Sequence, residues 1–351
     1  MSGDGMDYFL SCDACGEEYG REYPSQLCSC GGLLEVNQIG RVNFSGASAF
    51  WDYEPLLPKG RYRHYEVGST KTVKSKEGAC LKLETGNPTR SFKDRGSVIE
   101  IGKAIEYGFT EIACASTGNM AYSLAYYADI EGMKARIFMP RHANRDKLRD
   151  IREIGDARVT LVDGDFNTAQ AAAARYAKRN RSFLAGDFCY RKEGQKTVAF
   201  ELLENRVKRS HIIVPVGNAT LISGVYKAMR ELAQLGRLKG RPKIIGVEAA
   251  GCNPLSRAMA SGRMSHMVPR TKADAIAVGY PTFWKQAIAG LKETGGRMVT
   301  ASDREMEREQ KAFYRTYGLV AELAGVASIV AAKKLGIDMP GTAAVISGGN
   351  V

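Results

Sequence analysis

The chain has 351 residues, 44% of them hydrophobic and 25% charged, with a formal net charge of +12. That length and apolar content suit two α/β lobes with their own cores and exclude a disordered chain. The basic residues are spread along the sequence instead of gathered in blocks, which argues against a nucleic-acid-binding surface and for a solvated basic one.

The chain opens on MSGDGMDYFLSC, which lacks the basic start and apolar core of a signal peptide. Four of the eight cysteines then crowd into the first 30 residues, as Cys12-x-x-Cys15 and Cys28-x-Cys30, with Gly16 and Gly31 directly behind each pair. Two close pairs, each on a tight glycine knuckle, can turn four thiolates toward one tetrahedral Zn²⁺. Four cysteine ligands leave no open position, so the expected metal site is structural. The domain expected here is a small zinc ribbon over residues 1–40. Cys80, Cys114, Cys189 and Cys252 stand alone, and no disulfide framework is expected.

Residues 84–96 read ETGNPTRSFKDRG. Gly86 to Pro88 is turn chemistry, and Ser91 suits the N-cap of a helix starting at Phe92. Lys93 then falls in the first helical turn, where the macrodipole disfavours its charged form. Beyond it, EIACAS, KARIFMP and RVTLVDG read as strands, and NMAYSLAYYADIEG, ANRDKLRDIREIG and FNTAQAAAARYAKRN as helices. The alternation resumes with GQKTVAFELLENR (helix), HIIVPVG (strand), ATLISGVYKAMRELAQLG (helix) and KIIGVEA (strand). Helices are expected from about 253 to 334, and GTAAVISGGN reads as a strand entering a Gly-rich loop.

Such alternation predicts parallel sheets flanked by helices, with ligands collecting beyond the carboxyl ends of strands. Three of those ends carry small and polar residues: Ser116 to Asn119, Gly217 to Thr220, and Ser347 to Asn350. The second runs straight into a helix, whose exposed amides suit a phosphate. No GxGxxG or GxxxxGK[ST] occurs, and the four histidines share no motif spacing. The longest apolar run, AELAGVASIVAA, is ended by Lys333 and Lys334 before it reaches the roughly 18 residues of a membrane span. A cytoplasmic protein is expected.

Taken together, a lysine after a turn, a Ser-Thr-Gly-Asn loop, a phosphate-cradling loop and a terminal Ser-Gly-Gly loop look like a fold-type-II pyridoxal phosphate enzyme. More narrowly, NPTRSFKDRG, RKEGQKTVAFEL, PVGNATLISGVYKAM and GVEAAGCNPL, with the cysteine ribbon in front, resemble the threonine synthase family from about residue 10 onward. The resemblance implies a two-lobed, tryptophan synthase beta-like α/β fold. A smaller lobe over 66–165 would carry Lys93 and Asn119. A larger one over 41–65 and 166–351 would carry the phosphate loop and Ser347.

It also implies roles. Lys93, flanked by Phe92, would hold pyridoxal 5'-phosphate as a Schiff base and act as the general base. Asn119 would bond the ring hydroxyl, Gly217, Asn218, Ala219 and Thr220 the cofactor phosphate, and Ser347 the pyridine nitrogen. Ser116 and Thr117 would hold the substrate carboxylate, Arg191 its phosphate, and Cys12, Cys15, Cys28 and Cys30 the zinc. The implied reaction turns O-phosphohomoserine and water into threonine and phosphate. Relatives are commonly dimers, so a homodimer without nucleic-acid or membrane partners is expected.

Departures from the family pattern keep other substrates open. The usual NSxNPxR stretch is here Ala185-Gly186-Asp187-Phe188-Cys189-Tyr190-Arg191, and the second Asn of GNxGN is Leu221. Arg90 stands where the family typically has Gly and is a candidate compensating cation, as is Arg141. The ending SGGNV is similar to serine/threonine dehydratases, which would eliminate the hydroxyl of threonine or serine on the same lysine. Replacement at the β-carbon of phosphoserine is a further alternative. A non-catalytic nucleic-acid-binding protein would have no use for Lys93, Asn119 and Ser347.

Overall fold

Runs of β-branched and apolar residues broken by glycine become short strands, and the longer periodic runs become the helices between them. The computed structural model describes residues 5–116, 118–141, 145–164, 166–204, 209–337 and 339–349, with the backbone alone at 145–147. The first strands are β1 (Tyr8–Cys12), β2 (Glu18–Gly20) and β3 (Leu34–Gln38). Next come β4 (Thr72–Lys74), β5 (Cys80–Leu83), α1 (Lys93–Glu106), β6 (Glu111–Ala115), α2 (Asn119–Ile130) and β7 (Lys134–Pro140). They are followed by α3 (Arg145–Arg152), β8 (Ala157–Val162), α4 (Phe166–Asn180), β9 (Phe183–Leu184) and α5 (Cys189–Leu203). Then β10 (His211–Pro215), α6 (Thr220–Gln234), β11 (Lys243–Ala249), α7 (Pro254–Ser261) and α8 (Trp284–Thr294) follow. The series closes with β12 (Arg297–Ala301), α9 (Asp303–Tyr317), α10 (Leu323–Leu335) and β13 (Thr342–Ile346).

The chain packs as two compact units, Met1–Glu66 with Lys93–Gly194, and Val67–Phe92 with Gln195–Val351. The first holds an antiparallel ribbon in the order β2-β1-β3 and a four-stranded parallel sheet in the order β8-β7-β6-β9. Ala169, Ala173 and Ala177, spaced by four, form the α4 stripe that packs on Ala113, Ala115 and Phe138 of that sheet. Small side chains let the helix approach the strands closely.

The second unit is built on a six-stranded sheet in the order β12-β11-β10-β13-β5-β4, parallel except where β4 meets β5. Its core centres on α10, whose residues from Ala324 to Ala332 are all buried. That explains the long apolar run: a helix apolar on every side is a core helix when it is this short. Among the described residues no helix is long and apolar enough to cross a membrane.

Several elements differ from the sequence expectation. Helix α1 begins at Lys93, one residue late, because the Phe92 N–H donates to the Ser347 carbonyl at 3.0 Å instead of opening the helix. Helix α5 begins at Cys189, not Gly194, and so absorbs Arg191. Gly194 is tolerated inside it because it packs backbone to backbone: a Cβ there would fall 1.9 Å from the Arg95 carbonyl oxygen. The stretch 253–334 also contains a strand, β12, after the Gly295-Gly296 turn. β4, β5 and β9 are too short to stand out in the pattern.

Candidate functional site

In the second unit β10, β13 and β5 are adjacent and parallel, so their carboxyl ends share one edge of the sheet. The loop 217–220 leaves β10 at that edge, Ser347 to Gly349 leave β13, and the segment from Glu84 to Phe92 leaves β5. The last two are knitted together. Ser91 bridges Gly348, the Gly349 N–H donates to the Arg90 carbonyl at 2.9 Å, and the Phe92 N–H donates to Ser347. Lys93 is the next residue of the chain, so the backbone leading into the lysine is fixed by the strand end that carries Ser347. Ser347 itself is buried.

The loop after β10 is equally constrained. Asn218 Oδ1 accepts from the Thr282 N–H at 3.3 Å and from its hydroxyl at 3.2 Å, and the Asn218 carbonyl accepts from the Phe283 N–H at 3.1 Å. Gly217 lies so near the turn at Asp274–Ile276 that a Cβ would come 2.9 Å from the Ala275 carbonyl oxygen. Ala219 takes a left-handed φ of 63° and caps α6 without a side-chain hydrogen bond; the first turn of that helix carries no acidic residue. Thr220 and Leu221, both buried, begin the helix. A helix start with no side-chain cap and no acidic residue in its first turn suits a phosphate group, so this loop fits the phosphate of pyridoxal phosphate.

In the first unit β6 ends at Ala115 and is followed by Ser116, and buried Asn119 is the first residue of α2. The Ser116 hydroxyl accepts from the N–H groups of Gly118 and Ala121, at 3.4 and 3.2 Å, and so caps α2. Thr117 lies outside the described residues, as does Asn350. Lys93, half-buried, opens α1. Its first turn is held from α2, where Ser123 donates to the Asp94 carboxylate at 2.6 Å and lies 2.7 Å from Ser97 Oγ.

Arg191 is wholly buried, as is its salt-bridge partner Glu100. The guanidinium also donates to the Gly186 carbonyl at 3.0 Å, to the Lys93 carbonyl at 3.2 Å and to Ser97 Oγ at 3.2 Å. Burial pushes the Glu100 carboxyl upward, and Arg191, Gln26 and the Gly186 N–H oppose that shift. Nothing in the sequence marks Glu100, Gln26, Ser123 or Thr282 as part of the machinery; their partners lie far away in the chain.

The cysteine ribbon brings its four Sγ atoms within 4.8 Å of one another, with Cys12–Cys30 and Cys15–Cys28 each at 3.6 Å. A tetrahedral zinc with bonds of about 2.3 Å separates its sulfurs by about 3.8 Å, so the set fits. Gly16 and Gly31 have φ of 78° and 85°, and the N–H groups of Ala14 and Gly32 point at Cys12 and Cys30 sulfurs at 3.4 Å. The Tyr19 hydroxyl, 3.1 Å from Cys28 Sγ, holds that thiol down, at about 6.

Residues 65–348 match the family described as pyridoxal-phosphate dependent enzyme. The chain is 33% identical over 358 residues to the threonine synthase of Methanosarcina acetivorans, covering 95% of this chain and 87% of that protein. It is 32% identical over 352 residues to the threonine synthase of Methanocaldococcus jannaschii, covering 92% and 86%. Among solved structures it is similar to maize serine racemase, with a TM-score of 0.70 and 23% identity over 80% of this chain and 88% of that one. Threonine deaminase isoform 2 from Solanum lycopersicum gives a TM-score of 0.67 and 22% identity, over 80% and 84%.

Proposed function

Since this chain belongs to the pyridoxal-phosphate dependent enzymes and is a lyase of their threonine synthase family, we propose that it converts O-phosphohomoserine and water into threonine and phosphate. The observation that carries the reading is the shared sheet edge, where the uncapped start of α6, Ser347 and the Phe92–Ser347 hydrogen bond lie together.

The cofactor, when bound, supplies an electron sink for the substrate α-carbon. Lys93 would carry it and move protons: its amine would take the α-proton and then help move a proton from the β-carbon as phosphate leaves the γ-carbon, after which water would add at the β-carbon. Its place at the start of α1 favours the neutral amine that this work requires. Phe92 would flank the ring, Asn119 would hold the ring hydroxyl, and Gly217, Asn218, Ala219 and Thr220 would hold the phosphate. Ser347 would meet the pyridine nitrogen with an uncharged hydroxyl, which would keep the sink mild and suit elimination and replacement. Ser116 and Thr117 take the substrate carboxylate through their loop.

Arg90 is the cation we assign to the substrate phosphate. It is exposed and holds a left-handed φ of 59°, a conformation costing a non-glycine residue about 1 kcal/mol. An arginine kept where glycine would be unstrained supports a binding role. The cysteine ribbon is assigned one structural Zn²⁺ on Cys12, Cys15, Cys28 and Cys30. The division of labour, Lys93 and Asn119 in one lobe and the phosphate loop and Ser347 in the other, belongs to this proposal, as do a cytoplasmic homodimer and a small amino-acid substrate as its ligand.

One observation favours a second reading. The expected substrate-phosphate ligand Arg191 is neutralised by Glu100, which suits an unphosphorylated substrate and a threonine dehydratase activity. The test offers cofactor-loaded protein O-phosphohomoserine, phosphoserine and threonine separately, following phosphate release and identifying products by mass spectrometry. Threonine formed from O-phosphohomoserine is expected. Inertness toward it, with 2-oxobutyrate formed from threonine, would establish the second reading instead.

A further inference from the structure

Gln26 sits in the loop between the two cysteine pairs, two residues before Cys28, and is buried. Its amide N–H group donates to Glu100 Oε1 at 3.0 Å and to the Leu184 carbonyl at 2.9 Å, and its carbonyl accepts from the Tyr190 N–H at 3.2 Å. Glu100 takes a further bond from the Gly186 N–H at 2.8 Å and pairs with Arg191. Arg191 in turn donates to the carbonyl of Lys93. A series of hydrogen bonds thus runs from Gln26, two residues from Cys28 along the chain, to the backbone of the lysine. Through Ser97 it branches to Ser123, one helical turn beyond Asn119 on α2.

Stability alone does not account for these groups. A buried ion pair gains little over well-packed apolar side chains of the same volume, because both charges must first leave water. What a fully bonded buried network does supply is a single geometry. Four of the guanidinium contacts are made inside the unit, to Gly186, Lys93, Ser97 and Glu100, and the charge already has its counterion.

We propose that Gln26, Glu100 and Arg191 are positioning residues that set the backbone of Lys93 from the four-cysteine cluster. Arg191 acts on the lysine through its backbone carbonyl. The inference rests on Lys93 being the lysine that carries the cofactor, as proposed above. Loss of metal lets the loop holding Gln26 relax, frees the Glu100 carboxylate from one partner and loosens the first turn of α1.

The test uses the full chain loaded with Zn²⁺, with amide hydrogen exchange read on residues 93–97 and, as a control, on 211–215 of β10. Removing zinc from the wild type is expected to speed exchange at 93–97 about two- to tenfold, the worth of one hydrogen bond, and to leave the control unchanged. Gln26→Leu should do the same with zinc present and show no further change on chelation. Both treatments should shift the visible band of the lysine-bound cofactor. Unchanged exchange at 93–97 on chelation, or failure of the wild type to bind zinc, overturns the proposal, and the chelation arm decides even if Gln26→Leu does not fold. A cofactor band that survives in Lys93→Ala would overturn the proposed function instead, whatever the exchange shows.

Discussion

Gly194 of α5 lies against the backbone of Gly96 in α1: a Cβ on Gly194 would fall 2.8 Å from the Gly96 Cα and 1.9 Å from the Arg95 carbonyl oxygen. Neither atom can swing aside as a side chain end can. Gly194→Ala should therefore cost more than the roughly 1–3 kcal/mol of ordinary overpacking. A Cβ on Gly96 meets mainly the Arg191 side chain, at 2.6 Å from Cγ, which can yield a little. Urea unfolding of the two variants should show Gly194→Ala as the more damaged; equal midpoints would contradict the close crossing.

Arg90→Gly separates strain from binding. Relief of the left-handed backbone should raise stability by up to about 1 kcal/mol, reduced by the greater freedom of glycine in the unfolded chain. If Arg90 holds the substrate phosphate, the same variant raises KM for O-phosphohomoserine severalfold with kcat little changed. A variant that is more stable with an unaltered KM would remove Arg90 from the site.

Much of this arrangement is legible in the sequence alone. Strand ends at Ser116, Gly217 and Ser347 announced themselves through small residues after β-branched runs, and the glycine knuckles of the ribbon through cysteine spacing. Local chemistry carried those signals. The sequence starts the α5 helix too late, at Gly194, because glycine reads as a breaker, whereas here its missing side chain is what admits α1. Glu100 carries no signal in the sequence, and only the arrival of Arg191 from α5 makes it a buried counterion. The resemblance implies an anion-holding role for Arg191, and what the sequence does not show is that its guanidinium also meets Glu100 and the Lys93 carbonyl. No window of sequence contains both partners.

The metal reading gives a thiol count. Cys80, Cys114, Cys189 and Cys252 are buried, and burial pushes the Cys114 thiol up to about 12. With zinc bound, the folded protein should present almost no reactive thiol, and with a chelator about four, the number set by the ribbon. Cys30→Ser should abolish stoichiometric zinc. Four reactive thiols before chelation would mean that the ribbon carries no metal.

Helix α9 offers a pH prediction. Ser302 and Glu305 form a reciprocal cap: the Glu305 N–H donates to Ser302 Oγ at 3.3 Å, and Glu305 accepts from the Ser302 N–H at 2.8 Å. Burial raises the Glu305 carboxyl, but Lys334 and Ser302 outweigh it and hold it at about 2. Because the folded value lies below the unfolded one of about 4.3, its contribution is present above that pH and fades as pH falls toward 2. Ser302→Ala should cost about 1 kcal/mol at pH 7. Glu305→Gln should be destabilising at pH 7 and nearly neutral at pH 2, read as the shift of the urea midpoint.

The strand order β10-β13-β5 has a consequence for how the protein is made. β13 follows both of its neighbours in the chain yet lies between them. Until it leaves the ribosome, β5 and β10 each present an unpaired edge, a template for wrong pairing. The nascent chain therefore carries two half-sheets, and the continuous sheet edge comes into being in one late step. That timing makes newly synthesised chains the form most dependent on chaperones and gives mutations in β13 their first effect on yield, ahead of any effect on turnover.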